Sequence, residues 1–527
     1  MPVANESAAT AAQRSRAARF AGLAGTLLAS FVVVACATML AVRYVVLPQV
    51  TTWRPEIAER LSREIGAPVA IDAISTGWDG WNPQIVVTGL RIRDKAGDDA
   101  RTVLVLPTVE ATISWFSLAV ADLRLKELEI ERPELTVTRL ANGRIRLAGF
   151  EIDPGAEGAD TRFGDWLLRQ REIVVRDALV IWNDERRGAP QLLLDRVQFR
   201  LEHPLGSRRH RFGLTGEPPS ELAAPLDLRG ELVGATAQDW SKLEGRLYLR
   251  MDYADLAAWA EWLPLPVEVD DGRGALRVWL DYQGGTMRDL TADVELADVR
   301  TRLERDLPWL ELARVSGRLV WHGDEATRRV ETTDLALVAR AGAVVTPMDF
   351  TFEAALGEDG RYRSGRASAD IVELAPLAAL AASLPMPARW REDLARHAPR
   401  GTLRNARYRW EGPTDAPLSY AGEAEALDVG ITASETMPGV TGLTAKVQAD
   451  ERGGSAKIGS KAVTLSLPRT FAAPIAFDTV TGNVRWRRGD ESSDVEIDGL
   501  AFANADAAGT ASGTWRQARA GPGSVDL

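Results

Sequence analysis

The sequence predicts a mostly β protein: an N-terminal transmembrane helix, then an elongated antiparallel β-groove of repeated strands with a few short helices. Three observations carry that expectation. One run of 23 residues without a charge, FAGLAGTLLASFVVVACATMLAV, stands near the N-terminus at Phe20 to Val42. Beyond residue 67, apolar and polar residues alternate in one segment after another, the period of a half-buried strand. Turn pairs such as Asn142-Gly143 and Gly453-Gly454 punctuate the alternation.

Composition narrows the function. Of 527 residues, 45% are hydrophobic and 26% charged, the balance of a folded chain. A net charge of −11 argues against nucleic acid, whose phosphates require concentrated Lys and Arg. Cys36 is the only cysteine, so no internal disulfide forms. His203, His210, His322 and His397 are too scattered for a metal cluster, and nothing calls for a cofactor.

The elements follow in order. Residues 1–19 form a cytoplasmic N-terminus and 20–42 a transmembrane helix of roughly 34 Å, enough for a hydrocarbon core of about 30 Å. Arg14, Arg16 and Arg19 before the run place the N-terminus in the cytoplasm. Two alternatives stand beside the anchor. Val33-Val34-Ala35-Cys36 resembles a lipoprotein cleavage box with Cys36 acylated; the other is a cleaved signal peptide, whose apolar core of about 7–15 residues is shorter than this run. Residues 43–66 form a juxtamembrane helical segment. Pro55 suits a first helical turn, Ile57, Leu61 and Ile65 share a face, and Gly66 with Pro68 ends it.

Residues 67–527 form the groove. Along it, Val197, Phe199 and Leu201 oppose Arg196, Gln198 and Arg200. Leu247, Leu249, Met251 and Tyr253 oppose Arg246, Arg250 and Asp252. Leu276, Val278, Leu280 and Tyr282 oppose Arg277 and Asp281. One wet and one apolar face per strand is the mark of an antiparallel sheet. Two stretches, 254–266 and 373–387, read as helices; each follows a strand and precedes another, about 120 residues apart. A finer echo repeats Val315-Ser316-Gly317 at Val480-Thr481-Gly482 and, more weakly, at Val440-Thr441-Gly442. No strong linker interrupts the body, and 150–164 is the best loop.

Catalytic constellations are missing. There is no G-x-S-x-G, P-loop, H-E-x-x-H or C-x-x-C, and His322 sits at a strand end without a partner set. Trp78 and Trp81 flank a tight turn, where they cap the first apolar face or stack on an envelope sugar. A sheet must cover its apolar face. Left open as a trough, that face calls for an apolar ligand, and beside a membrane anchor lipid acyl chains are the candidates; composition alone does not separate the trough from a sandwich.

The stretch LSREIGAPVAIDAISTGWDGWNPQIVVTGLRIRD (61–94), after a transmembrane segment and a short helix, resembles the N-terminus of the YhdP family of AsmA-like proteins. The similar features are Gly66 and Pro68, the turn Gly77-Trp78-Asp79-Gly80-Trp81 with Pro83, and Gly89-Leu90-Arg91-Ile92. The segments GRLYLRMDYADLAAWAEWLPLP and GRGALRVWLDYQGG add to it, so the match covers about residues 15–285. The resemblance implies a single-pass anchor in a bacterial inner membrane and a periplasmic β-groove. It implies movement of phospholipid toward the outer membrane and support of that membrane's barrier, with no catalytic residues. Val197, Phe199, Leu201, Leu247, Leu249, Met251, Leu276, Val278 and Leu280 are the candidate groove residues. Family members are longer, and this chain stops in mid-alternation at GTWRQARAGPGSVDL, so it is expected to be incomplete at its C-terminus. The alternative is a scaffold of outer-membrane biogenesis that works by contact with outer-membrane or other periplasmic proteins.

Overall fold

The computed structural model describes residues 6–65, 68–93, 102–115, 125–147, 150–152, 170–233 without 205, 206 and 208, 244–434 without 264, 266, 285 and 325, 438–468, 471–489, 492–518 and 523–526. The expected mostly β architecture is there. Among the described residues 27 strands join one sheet. Contacts divide the chain into two compact units. Unit one is 1–183, 191–212 and 236–238; unit two is 184–190, 213–235 and 239–527.

Unit one opens with a helix, Glu6–Ala41, that continues through a wider turn, Val42–Val46, into Leu47–Val50. Gly25–Val50 is long and apolar enough to cross a membrane. A second helix, Arg54–Ile65, starts where Pro55 costs nothing, in the first turn. It packs Ile57 and Leu61 onto the first strands, as their shared face predicts. Those strands are β1 (Val69–Ala70), β2 (Ala73–Asp79), β3 (Asn82–Arg93) and β4 (Thr102–Ile113). Val50, Ile71, Ile74, Leu90 and Ile92 form the buried core there. The unit continues through β5 (Leu125–Glu131), β6 (Glu134–Arg139), β7 (Ile145–Leu147), β8 (Phe150–Ile152), β9 (Glu172–Asp184), β10 (Ala189–Glu202) and β11 (Arg209–Glu217), the last three each reaching into unit two. Residues 150–152 of the expected loop are strand; 153–164 lie outside the described residues.

One pairing departs from the antiparallel expectation. Strand β5 lies parallel to β9, Leu128 opposite Ile173. The chain makes an excursion through β6–β8 between them and returns in the same direction, which a hairpin cannot do.

Unit two is a meander. Its strands are β12 (Leu226–Val233), β13 (Glu244–Asp255), β14 (Glu268–Gln283), β15 (Thr286–Arg302), β16 (Leu310–Gly323), β17 (Thr327–Ala339), β18 (Val344–Leu356), β19 (Tyr362–Glu373), β20 (Arg400–Glu411), β21 (Ser419–Ile431), β22 (Gly439–Asp450), β23 (Gly453–Ser466), β24 (Ile475–Arg488), β25 (Ser492–Ala503), β26 (Ala508–Ala518) and β27 (Ser524–Asp526). Each pairs antiparallel with the next.

Bulges explain the repeated Val-x-Gly. Asp334 in β17, Ala462 in β23 and Gly499 in β25 adopt positive φ, and the register slips beside them. Opposite them stand the three repeated glycines. A Cβ on Gly317 would lie 2.9 Å from the Asp334 carbonyl, one on Gly442 2.5 Å from that of Ala462, and one on Gly482 2.9 Å from that of Gly499. A bulge brings one backbone against the next strand, and only glycine leaves room. The orphaned N–H is then satisfied from the following strand. Asp334 N donates to Asp349 Oδ1 (2.9 Å) and Gly499 N to Ser512 Oγ (3.0 Å); at a further bulge, where Asp428 of β21 has positive φ, the N–H goes to Thr444 Oγ1 (3.2 Å).

The helices are shorter than expected in one place and more numerous in another. Among the described residues of 254–266 only Leu256–Trp259 is helical, capped by Asp255, whose side chain accepts from Ala258 N. The C-terminal end is held by Arg187, which donates to the carbonyls of Ala260, Glu261 and Leu263. Within 373–387 the helix is Leu374–Leu380 with a tighter turn to Ser383. A third helix, Ala388–His397, follows Pro387 and has no counterpart in the sequence expectation. Its apolar residues are too few to mark it.

Candidate functional site

Because antiparallel partners share a face, the register traces a surface. In unit two Gly230 faces Leu247, then Leu280, Leu290, Trp321, Val330, Phe352, Ala367 and Tyr408 in turn. The row runs on through Gly422, Ala449, Gly454, Trp486, Val495, Trp515 and Val525. No charged side chain interrupts it from β12 to β27. A parallel row joins Leu228, Leu249, Val278, Ala292, Leu319, Thr332, Phe350 and Ala369. Met251 faces Leu276 beside them.

Much of this apolar face is not packed away, although Met251 at 6% and Trp410 at 4% exposure are buried. Leu247, Leu249, Leu276, Val278, Leu280, Leu290, Val330 and Phe352 are all half-buried, while Leu319 is 38% and Trp515 39% exposed. Inside a sandwich such residues are buried by the opposing sheet. The helices cover only a margin. Leu380 and Leu384 pack on Leu310 and Leu312. Trp390 meets the Tyr408 ring edge-on at 5.8 Å. An aromatic group missed from sequence sits there: Phe352 stacks on Trp410 at 5.6 Å and Trp410 on Tyr408 at 5.9 Å. Trp410 and Trp486 lie over Gly365 and Gly454, where an added Cβ would come within 2.3 Å of either indole.

The opposite face is charged and self-neutralising. Arg318 pairs with Asp293, Arg366 with Glu353, Arg407 with Glu423 and Lys446 with Glu425, each across a strand boundary. The hydrogen bond from Arg318 pulls the Asp293 carboxyl below the usual range, and Lys446 does the same to Glu425. A cavity of about 880 Å³ lies along β18–β24, lined by Arg366, Arg407, Arg409 and Arg485 with Glu423 and Asp450. Those side chains share the charged face. The lining also takes in Ala367, Tyr408, Gly422, Ala449 and Gly454 of the apolar row.

The sequence candidates separate by unit. Leu247, Leu249, Met251, Leu276, Val278 and Leu280 come together register for register in β13 and β14. Val197, Phe199 and Leu201 lie in unit one. Val197 is 2% exposed, and Leu201 packs with Ile113, Leu125, Leu128 and Ile173, with Phe199 against them. The turn residues also fall in unit one. Trp78 pairs with Pro83 and Asp79 with Asn82, leaving Gly80 and Trp81 as a two-residue loop with positive φ at Gly80. Gly77 pairs with Gln84, and Pro83 is fully buried. Trp78 lies 6.3 Å from the Trp115 ring, and Trp81 is 75% exposed. His322 does have a partner that the sequence hid, the Asp289 carboxylate on β15. Among the described residues no group of three potential ligands could hold a metal.

An apolar helix able to cross a membrane, followed by a repeating antiparallel sheet with one apolar and one charged face, defines a class of membrane-anchored β-repeat proteins. A family model described as YhdP protein matches residues 16–527, and the chain belongs to the YhdP family. It is similar to the Intermembrane phospholipid transporter YhdP of Escherichia coli (strain K12), 24% identical over 317 residues. That match takes in 58% of this chain and 22% of the length of the relative.

Proposed function

We propose that the chain carries phospholipid between the inner and outer membranes of a bacterial envelope and so supports the outer-membrane permeability barrier. Gly25–Val50 contributes a single-pass anchor in the inner membrane, with the N-terminus cytoplasmic and the sheet periplasmic. Acyl chains lie on the apolar rows while headgroups stay in water, and no covalent chemistry takes place. The carrying observation is the row from Gly230 to Val525: sixteen strands without a charge, on a face left half-exposed. An open apolar face of that length demands an apolar occupant. The relative's name supports phospholipid as that occupant. Leu247, Leu249, Met251, Leu276, Val278 and Leu280 are the proposed contacts.

The test is a photoreactive residue at Leu280 or at its charged-face neighbour Asp281 in the full chain in cells. Phospholipid adducts at 280 and none at 281 are expected. Adducts at neither position, in a chain that reaches the membrane, would overturn the reading. A scaffold acting by protein contact is the second reading, favoured by the arginine-lined cavity on the charged face. It gains if protein adducts form at Arg409 while lipid adducts form nowhere.

A further inference from the structure

The apolar helix and the first hairpin meet at one level. Leu47 and Val50 are 5% and 6% exposed because they pack on protein, so one side of the helix's last turn is covered by protein and not by lipid. The lipid-facing stretch is Gly25–Val46, where most large apolar side chains are exposed, Phe31 and Tyr44 to 69%. Its length is about 33 Å at 1.5 Å per residue, against a hydrocarbon core of about 30 Å. The boundary therefore falls near Arg43 to Val46. Arg43 lies over the Trp78 ring at 5.5 Å, which brings the tip of the β2–β3 hairpin to that same boundary. The tip is fixed there: Trp115 Nε1 donates to the Trp81 carbonyl at 2.7 Å. Asp79, the one acid of the turn, is neutralised by Lys126 at 2.9 Å. What remains outward is aromatic: Trp81 at 75% and Tyr44 at 69% exposure. Indole and phenol rings concentrate at the headgroup layer, where one end is apolar and the other wet.

We propose that the β2–β3 hairpin tip inserts Trp81 into the phospholipid headgroup layer of the membrane that the helix crosses, so that the sheet is rooted in the bilayer at two points. The inference rests on the anchoring proposed above and adds a second membrane contact to it. The hairpin then fixes the height and rotation of the sheet's first strands, which one helix could not do.

The test uses the full chain with Cys36→Ser and one new cysteine carrying an environment-sensitive fluorophore, at Trp81→Cys, Phe31→Cys or Leu418→Cys. The protein is reconstituted into phosphatidylethanolamine–phosphatidylglycerol vesicles containing lipids with a quencher at shallow or deep positions. Trp81 gives the fold only its backbone carbonyl, so Trp81→Cys keeps the Trp115 hydrogen bond; circular dichroism checks each variant. The expected result is shallow quenching at 81, deep quenching at 31 and none at 418. A label at 81 as wet as that at 418, with 31 deeply quenched, overturns the hairpin contact and leaves the anchor standing. A label at 31 unquenched overturns the anchor and the hairpin contact together.

Discussion

Gly317 is where a single methyl group would be felt. Its φ is +138°, and a Cβ there would lie 2.8 Å from Leu335 Cα, a backbone atom that cannot step aside. Gly317→Ala is expected to cost about 1–3 kcal/mol, read as a lower urea midpoint with unchanged slope. Trp410, 4% exposed among Phe352 and Tyr408, is the costlier loss: roughly 3–5 kcal/mol for Trp410→Ala. Two titrations carry a sign. Asp293 is held below its ordinary value by Arg318, so its contribution is present at neutral pH and fades as pH falls through the depressed value. Asp293→Asn should flatten the acid limb of stability below about pH 4. His210 is pushed below 6.5 by burial and then by His203, whose ring stacks on it at 4.6 Å. The unfolded chain takes up that proton first. Unit one should therefore lose stability as pH falls from about 6.5 toward the lower folded value. In His210→Phe that slope should vanish, as followed by tryptophan fluorescence in urea.

At the scale of elements, the strands, the apolar N-terminal helix and the helix after it were legible, while the short helices of unit two were legible only in part. Alternation in β13 and β14 gave the right residues on the right faces because a pleat admits only two sides. The echo of Val-x-Gly was legible as a repeat, yet its cause was not, since the bulge it accommodates lies on a different strand. Asp334 and Asp428 look like ordinary polar-face residues; only their positive φ marks them. The segment 254–266 reads as helix on its own, and tertiary contact cuts it to Leu256–Trp259. Arg187, 73 residues before the Ala260 carbonyl it caps, was beyond any local signal. Removing that cap by Arg187→Ala should lower stability by about 1 kcal/mol, checked by thermal melting of the full chain.

Over the whole chain, alternation foretold an antiparallel sheet but not whether its apolar face was covered. A sandwich and an open sheet are written with the same period. What distinguishes them is the half-exposure of Leu280, Val330 and Phe352, a tertiary property. The parallel β5–β9 pair was hidden for the same reason. If the rows carry lipid, one charge in mid-row should stop it: Leu290→Glu is expected to abolish lipid adducts beyond β15 while circular dichroism stays unchanged. The unbroken register has a further consequence, one of parity. Its residues range from Gly422 to Trp486, so no particular side chain is demanded, only a side. Conservative missense alleles in that row should be nearly silent, except at close-packed glycines such as Gly454. Losing a single codon inside a strand between bulges should be null, because every later residue of that strand changes sides. Losing two should be far milder, since an even deletion restores the original sides.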